Sequence, residues 1–296
     1  MGSFLETAVE IAREAAALIA DSLDRRARED LARATEPSSE HAGAGLAGER
    51  RGQGKTFELK GEHDLVTETD RASERLIVER LRSRYPTHSI AAEEGGEAAG
   101  TSEYRWHVDP LDGTTNFAHG FPVFNVSIGL EKAGELIAGV IVDPMRNEVF
   151  TAESGAGAYL NFRRIRVSKT ARLEESLAGT GFPSRNRHKD VNVHFYYQLA
   201  MVSHGVRRAG AAALDFAYVA CGRLDLFWEF SLKPWDMAAG ALLVREAGGV
   251  VTDMHGGPFH LRSPHVLADN GLLHAETIKL FAEVFAGKFR AQLPKL

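Results

Sequence analysis

One cysteine, Cys221, stands in a chain of 296 residues, so no intrachain disulfide can form. Without a redox framework, a reducing compartment, the cytoplasm, is the expected setting. Cys221 sits in the apolar run Ala220-Cys221-Gly222 and reads as a small buried thiol. A cysteine nucleophile needs a base and an electropositive setting, and nothing in the sequence points to one. Long apolar runs are missing too. No segment reaches the roughly 18 residues of a membrane span. Arg13, Glu14, Asp21, Asp24, Arg25 and Arg26 break up the N-terminal stretch, so no secretory signal is expected there. A basic surplus is also lacking. Thirty-five Lys and Arg against forty Asp and Glu leave a formal net charge of −5, which weighs against a protein built to grip a nucleic-acid backbone. No internal repeat is visible.

What is present reads as an ordinary globular chain. Leu5, Val9, Ala12, Ala16, Ile19 and Leu23 recur at helical spacing, which predicts one amphipathic helix over about 3–34. Its polar face mixes acids and bases, which disfavours a membrane-surface helix. Residues 35–55 change character, with Pro37, Ser38, Ser39 and five glycines, and read as a mobile loop. The segment 64–70 (DLVTETD) leads into a second helix, with Ala72, Leu76, Ile77 and Leu81 on its apolar face and Tyr85-Pro86 at its end.

Strand-like runs then follow at 89–91, 105–108, 123–130, 135–142, 148–151 and 158–160, with short Gly, Pro and Asn turns between them. Short links imply a largely antiparallel sheet. Beyond Ser168 the pattern alternates. Strands are expected at 178–181, 205–209, 224–228, 250–252 and 265–268. Helices are expected at 190–202, 212–221, 235–247 and 275–285. That alternation implies a layered α/β unit. Two halves are expected, 1–167 and 168–296.

Two motifs invite misreading. Gly54-Lys55-Thr56 looks like the end of a Walker A loop, but Glu49 occupies the position of the required first glycine and no strand precedes it. Asp109 and Asp112 stand three apart, whereas a calcium loop needs acids at alternate positions. A haloacid-dehalogenase phosphatase would need its nucleophile at position 110, which is Pro110.

The informative stretch is 106–117, WHVDPLDGTTNF. Pro110 forces a turn after a strand, and Gly113 allows a sharp reversal. Thr114, Thr115 and Asn116 then offer successive N–H groups, an anion cradle if a helix begins there. Two acids beside such a cradle point to metal-bridged phosphate chemistry, because Mg2+ prefers carboxylate and phosphate oxygens. Taken alone, DPLDG is equally a turn, Glu93-Glu94 a solvated corner, and Asp70 and Asp236 acids in a helix's first turn.

Together these segments resemble the inositol monophosphatase family. WHVDPLDGTTNF is similar to its first signature. WDMAAG at 235–240, running on to Arg245-Glu246-Ala247-Gly248-Gly249, is similar to its second. Glu93-Glu94 and DLVTETD stand where the family has a metal-binding glutamate and a threonine–aspartate segment. The resemblance implies a layered αβαβα sandwich of the sugar-phosphatase type and a Mg2+-dependent, lithium-sensitive phosphatase, with Mn2+ a possible substitute. It implies that Glu93, Asp109 and the Leu111 carbonyl hold one ion. Asp109, Asp112 and Asp236 hold a second, and a weaker third lies near Glu93. By the same resemblance Thr114 and Asp70 position the attacking water, and the amides of Gly113, Thr114 and Thr115 take the phosphate. Asp112, Glu229 and the Ala212 amide contact the substrate hydroxyls.

Ala211 departs from the serine or threonine common at that position. Arg185, Arg187, His188 and Lys189 form a basic cluster that is either a solvated loop or a seat for a second phosphate. The expected substrate is inositol 1-phosphate. Fructose 1,6-bisphosphate, histidinol phosphate and a 3′(2′)-phosphonucleotide are alternatives served by the same fold. A homodimer is implied, with no membrane and no direct nucleic-acid contact. A regulatory partner of the transcription machinery is the reading from outside enzymology.

Overall fold

The computed structural model describes residues 3–35, 58–61, 64–183 and 189–292. Most of the expected loop at 35–55, the Gly54-Lys55-Thr56 decoy, and Arg185, Arg187 and His188 lie outside them. Thr35 itself closes the first helix.

That helix, α1 (Phe4–Thr35), begins with a capping box. Ser3 Oγ accepts the Glu6 N–H at 3.1 Å, and Glu6 accepts the Ser3 N–H at 2.7 Å. Its buried face is Ala8, Ile11, Ala12, Ala15, Ala16 and Ile19. A short hairpin, β1 (Glu58–Gly61) and β2 (Asp64–Val66), precedes α2 (Glu68–Arg84). The next strands are β3 (Ser89–Ala92), β4 (Gly96–Ala98) and β5 (Tyr104–Asp112). The one-turn helix α3 (Thr114–Ala118) follows, then β6 (Asn125–Lys132), β7 (Glu135–Asp143), β8 (Glu148–Glu153), β9 (Gly157–Leu160) and β10 (Arg163–Arg164). These build an eight-stranded sheet in the order β10-β9-β8-β7-β6-β5-β3-β4. Its ladders are antiparallel except for the parallel pair β3–β5.

The remainder is β11 (Leu177–Thr180), α4 (Asn192–Val202), β12 (Gly205–Arg207), α5 (Ala212–Ala220), β13 (Leu226–Phe230), α6 (Pro234–Glu246), β14 (Val250–Thr252), β15 (His265–Asp269) and α7 (His274–Phe285). Its five strands order as β12-β11-β13-β15-β14, with β12, β11 and β13 parallel and the rest antiparallel.

Three cores separate five layers. Between α1–α2 and the large sheet lie Ile11, Ile19, Ile77, Trp106, Val108 and Phe124. Between the two sheets, around α5 and α6, lie Phe150, Phe216, Phe227, Met237 and Leu243. Outside the small sheet, α4 and α7 meet over Phe195, Trp228, Leu267 and Phe281. The order is therefore helices, sheet, helices, sheet, helices, the αβαβα sandwich. Each large side chain so buried contributes roughly 1.5–3 kcal/mol.

The departures from sequence expectation are local. The strand expected from Val123 begins at Asn125, that from Leu224 begins at Leu226, and that at 205–209 stops at Arg207. The helix expected from Asp190 begins at Asn192. The two- to four-residue strands β1, β2, β4 and β10 were not anticipated, being too short to show alternation.

Candidate active site

The acids meet where strands end. In the large sheet the parallel pair β3 and β5 run side by side, and their carboxyl ends deliver Glu93 and Asp109. In the small sheet β11 and β13 are the matching parallel pair, with Gly181 just past the end of β11 and Glu229 near the end of β13. Crevices beyond the carboxyl ends of parallel strands are where open α/β sheets bind ligands. Here both ends open on one cavity of about 680 Å³.

A bulge sets the aim of two carboxylates. Asp109 pairs with Ser127 on β6, and Asp112 with Asn125. Three steps along β5 thus match two along β6. In a regular strand, residues three apart face opposite sides. The extra residue instead turns Asp109 and Asp112 to the same side, toward α5 and α6, while Val108 and Leu111 fill the core under α1 and α2. The turn is closed by the Leu111 N–H, which donates to Asp109 Oδ1 at 3.0 Å. Gly113 follows at φ +94°. A Cβ there would stand 2.8 Å from the Val123 carbonyl oxygen, so the reversal demands glycine.

Each acid has its own support. Asp112 accepts three bonds: Ala212 N–H to Oδ1 (3.2 Å), and Ala213 N–H (2.8 Å) and Asn125 Nδ2 (2.7 Å) to Oδ2. The Ala212 amide, expected to meet substrate, is donated to Asp112 in this structure. Asp236 is the third residue of α6, behind Pro234, and its Oδ2 accepts the Lys233 N–H at 2.7 Å. Asp70 holds the same position in α2. Its Oδ2 accepts from the Thr67 N–H (2.9 Å) and the Thr67 hydroxyl, and its Oδ1 accepts the Thr114 hydroxyl at 2.8 Å. Thr114 Oγ1 also lies 3.1 Å from the Leu111 carbonyl. Asp70 and Asp236 thus both cap their helices through Oδ2, and Asp70 adds the Thr114 hydroxyl through Oδ1. Glu229 is buried, packed where Gly181 has no side chain.

The cavity wall includes Glu93, Asp109, Leu111, Asp112 and Asp236, the Gly113–Thr115 segment, and Ala212 and Glu229. Asp70 stands behind Thr114, outside it. Lys189, the described member of the basic cluster, and Arg208 and Lys233 bring positive charge to the wall. Asn125, Arg208 and Asp215 were not singled out from sequence. Asn125 carries no local signal, since its partner Asp112 is thirteen residues away.

Electrostatics distinguish this cavity from a solvated turn. Burial lifts the Asp109 carboxyl well above the usual range, and the charges of Glu93, Asp112 and Asp236 lift it further. Burial also raises Asp236 well above the usual range; the Lys233 amide opposes this, and Glu93 and Asp112 add to it. For Asp112, burial wins against its hydrogen-bond donors. Glu229 is raised well above its ordinary value by burial, then by Asp215, Asp236 and Asp112. Burial raises Asp70 against its three donors. Among the described residues, no three His, Cys, Asp or Glu side chains close on a point as a ready-made metal cage. The acids ring the cavity and repel across it. An all-oxygen set of mutually repelling carboxylates fits a hard divalent cation, which would remove the repulsion.

Fold and site together define a five-layered α/β protein with an acid-lined cavity sized for a small molecule. The chain belongs to the inositol monophosphatase family, whose profile matches residues 2–286. It is 53% identical over 217 residues to Nus factor SuhB of Pseudomonas aeruginosa, covering 71% of this chain and 80% of that protein. It is 47% identical over 224 residues to an inositol-1-monophosphatase of Mesorhizobium japonicum, covering 75% and 84%. The fold superposes on the crystal structure of extragenic suppressor protein suhB from Bartonella henselae with a TM-score of 0.82 at 38% identity, covering 95% and 98% of the two chains. Among the described residues no helix is long and apolar enough to cross a membrane.

Proposed function

We propose that the chain hydrolyses a small phosphate monoester, inositol 1-phosphate foremost, with Mg2+ as the resident ion and Mn2+ able to replace it. The observation that carries this reading is the convergence of Glu93, Asp109, Asp112 and Asp236, from three separate parts of the chain, on one cavity beside the Gly113–Thr115 amides. Glu93, Asp109, Asp112, Asp236 and the Leu111 carbonyl would hold the ions. When bound, they neutralise phosphate charge and acidify water at the site.

The chain's own groups do the rest. Amides at the start of α3 have no intrahelical partner, so Gly113, Thr114 and Thr115 can bind phosphate oxygens. The Thr114 hydroxyl donates to Asp70, which leaves its oxygen to accept a proton from the attacking water. Asp70, its basicity raised by burial, is placed to receive the Thr114 proton at Oδ1. Glu229 offers acceptors to polyol hydroxyls, with Asp112 and the Ala212 amide beside it. The reading includes a homodimer and a cytoplasmic setting.

Phosphate release from inositol 1-phosphate, with and without Mg2+, tests the reading. Wild type should turn over only with the metal, lithium should inhibit it, and Asp109→Asn should lose at least about a hundredfold. Glu229→Ala should impair inositol 1-phosphate turnover more than that of p-nitrophenyl phosphate. The relative named Nus factor SuhB supports a second reading, a regulatory partner of the transcription machinery. Equally slow phosphate release by wild type and Asp109→Asn would favour it.

A further inference from the structure

One edge of α2 touches three pieces of the site at once. Asp70, Ser73 and Glu74 lie at i, i+3 and i+4, which places them on one helix face. All three are buried. Asp70 accepts the Thr114 hydroxyl. The Ser73 hydroxyl donates to the Pro110 carbonyl at 2.8 Å, in the bulged turn between Asp109 and Asp112. Glu74 Oε2 accepts the Glu94 N–H at 2.7 Å, in the turn that carries Glu93. The contact at that turn is close: a Cβ on Gly95 would stand 2.7 Å from Glu74 Oε1. Ser73 and Glu74 do not line the cavity.

The two turns need such a brace. Glu93 follows a four-residue strand whose outer neighbour, β4, is a three-residue edge. The Glu93 N–H bonds the Val108 carbonyl at 3.2 Å, which is the last ladder-like bond before the turn. The Asp109–Asp112 turn leaves the β5–β6 ladder at its bulge. Carboxylates that repel one another across a cavity drift apart unless the backbone beneath them is held.

We propose that Ser73 and Glu74 are positioning residues that fix the spacing between the Glu93 turn and the Asp109–Asp112 turn, so that the acids receive a divalent cation without first reorganising. The proposal rests on the metal-site reading above. Groups that orient ligands in this way are typically worth ten- to a hundredfold in metal affinity.

Mn2+ binding to the metal-free full chain, followed by electron paramagnetic resonance and calorimetry, tests it. Glu74→Ala should weaken the tightest Mn2+ site about tenfold or more, and Ser73→Ala should weaken it in the same direction. Glu74→Gln keeps an oxygen for the Glu94 N–H and should stay close to wild type. At saturating metal, KM for inositol 1-phosphate should stay within about twofold in all three, because none of these side chains reaches the cavity. Wild-type Mn2+ affinity in both alanine variants overturns the proposal. So does a Glu74→Gln variant as weak as Glu74→Ala, which would make the charge and not the hydrogen bond the active element. Ser73→Ala removes only a hydroxyl and keeps the test open if Glu74→Ala fails to fold. A wild-type chain that binds no Mn2+ removes the metal site itself and the brace with it. Normal wild-type binding with unchanged variants removes the brace alone.

Discussion

His88 shows how one side chain can make stability depend on pH far from the chemistry. Its ring is stacked between Tyr85, at 4.9 Å, and Tyr104, at 4.7 Å, and its Nδ1 accepts the Trp106 indole N–H at 3.1 Å. A protonated ring would turn that acceptor into a donor facing a donor. Burial moves the His88 pKa below its ordinary value. Because the folded state holds the proton more weakly than the unfolded chain, this stabilisation is complete above the unfolded value of about 6.5. It is lost as pH falls from there through the folded value. His88→Phe keeps the stack and removes the acceptor. It should cost about 1 kcal/mol near pH 8, and the difference in Tm from wild type should shrink by pH 5. A difference independent of pH would show that the Trp106 bond does not govern this corner. At the same scale, the acids of the site were legible as types and spacings, but Ser73, Glu74 and Asn125 were not. Each acts through a partner 13 to 37 residues distant, and no local pattern encodes such a pairing.

Among the elements, the longer helices and strands were readable because period 3.6 and period 2 persist over enough residues to be seen. The bulge in β5 was not. Alternation over 105–108 continues into Asp109, and only the pairing with β6 reveals the extra residue that swings Asp112 to the same side. The seat of α6 was equally hidden. Gly129 on β6 and Gly139 on β7 are cross-strand partners. A Cβ on Gly129 would stand 2.6 Å from the Ala238 Cβ, and one on Gly139 would stand 2.9 Å from the Ala239 Cα. The glycine pair is a flat platform on which α6 lies close to the sheet, with the Ser127 hydroxyl donating to the Trp235 carbonyl at 3.3 Å beside it. That closeness sets the height at which Asp236 meets the other acids. Gly139→Val should therefore cost at least about 1–3 kcal/mol through overpacking. It should also lower Mg2+-supported turnover, because Asp236 moves with α6. Loss of stability with full retention of metal dependence would separate the platform from the site.

For the whole molecule, the cavity is the place where the layers are least at ease with one another. Glu93, Asp109 and Asp112 arrive from the large sheet and Glu229 from the small one, while Asp236 comes from α6 between them. Their mutual repulsion opposes the closure that brings these layers together. A cation held among the carboxylates turns that opposition into cohesion, and it does so only in the native state, since the unfolded chain scatters the ligands over more than a hundred residues. Stability should then follow mass action: about 2.7 kcal/mol is gained when free metal reaches a hundred times its dissociation constant. For a chain of this size that corresponds to a rise in Tm of roughly 4–5 °C. Differential scanning calorimetry of chelator-treated protein, titrated with Mg2+, should show Tm climbing with the logarithm of metal concentration. Asp109→Asn should begin at a Tm equal to or above that of metal-free wild type, because one repelling charge is gone, and should respond weakly to Mg2+. A wild-type Tm indifferent to Mg2+ and Mn2+ up to tens of millimolar would mean that the acids hold no ion in the folded state, and hydrolysis by this cavity would lose its physical basis.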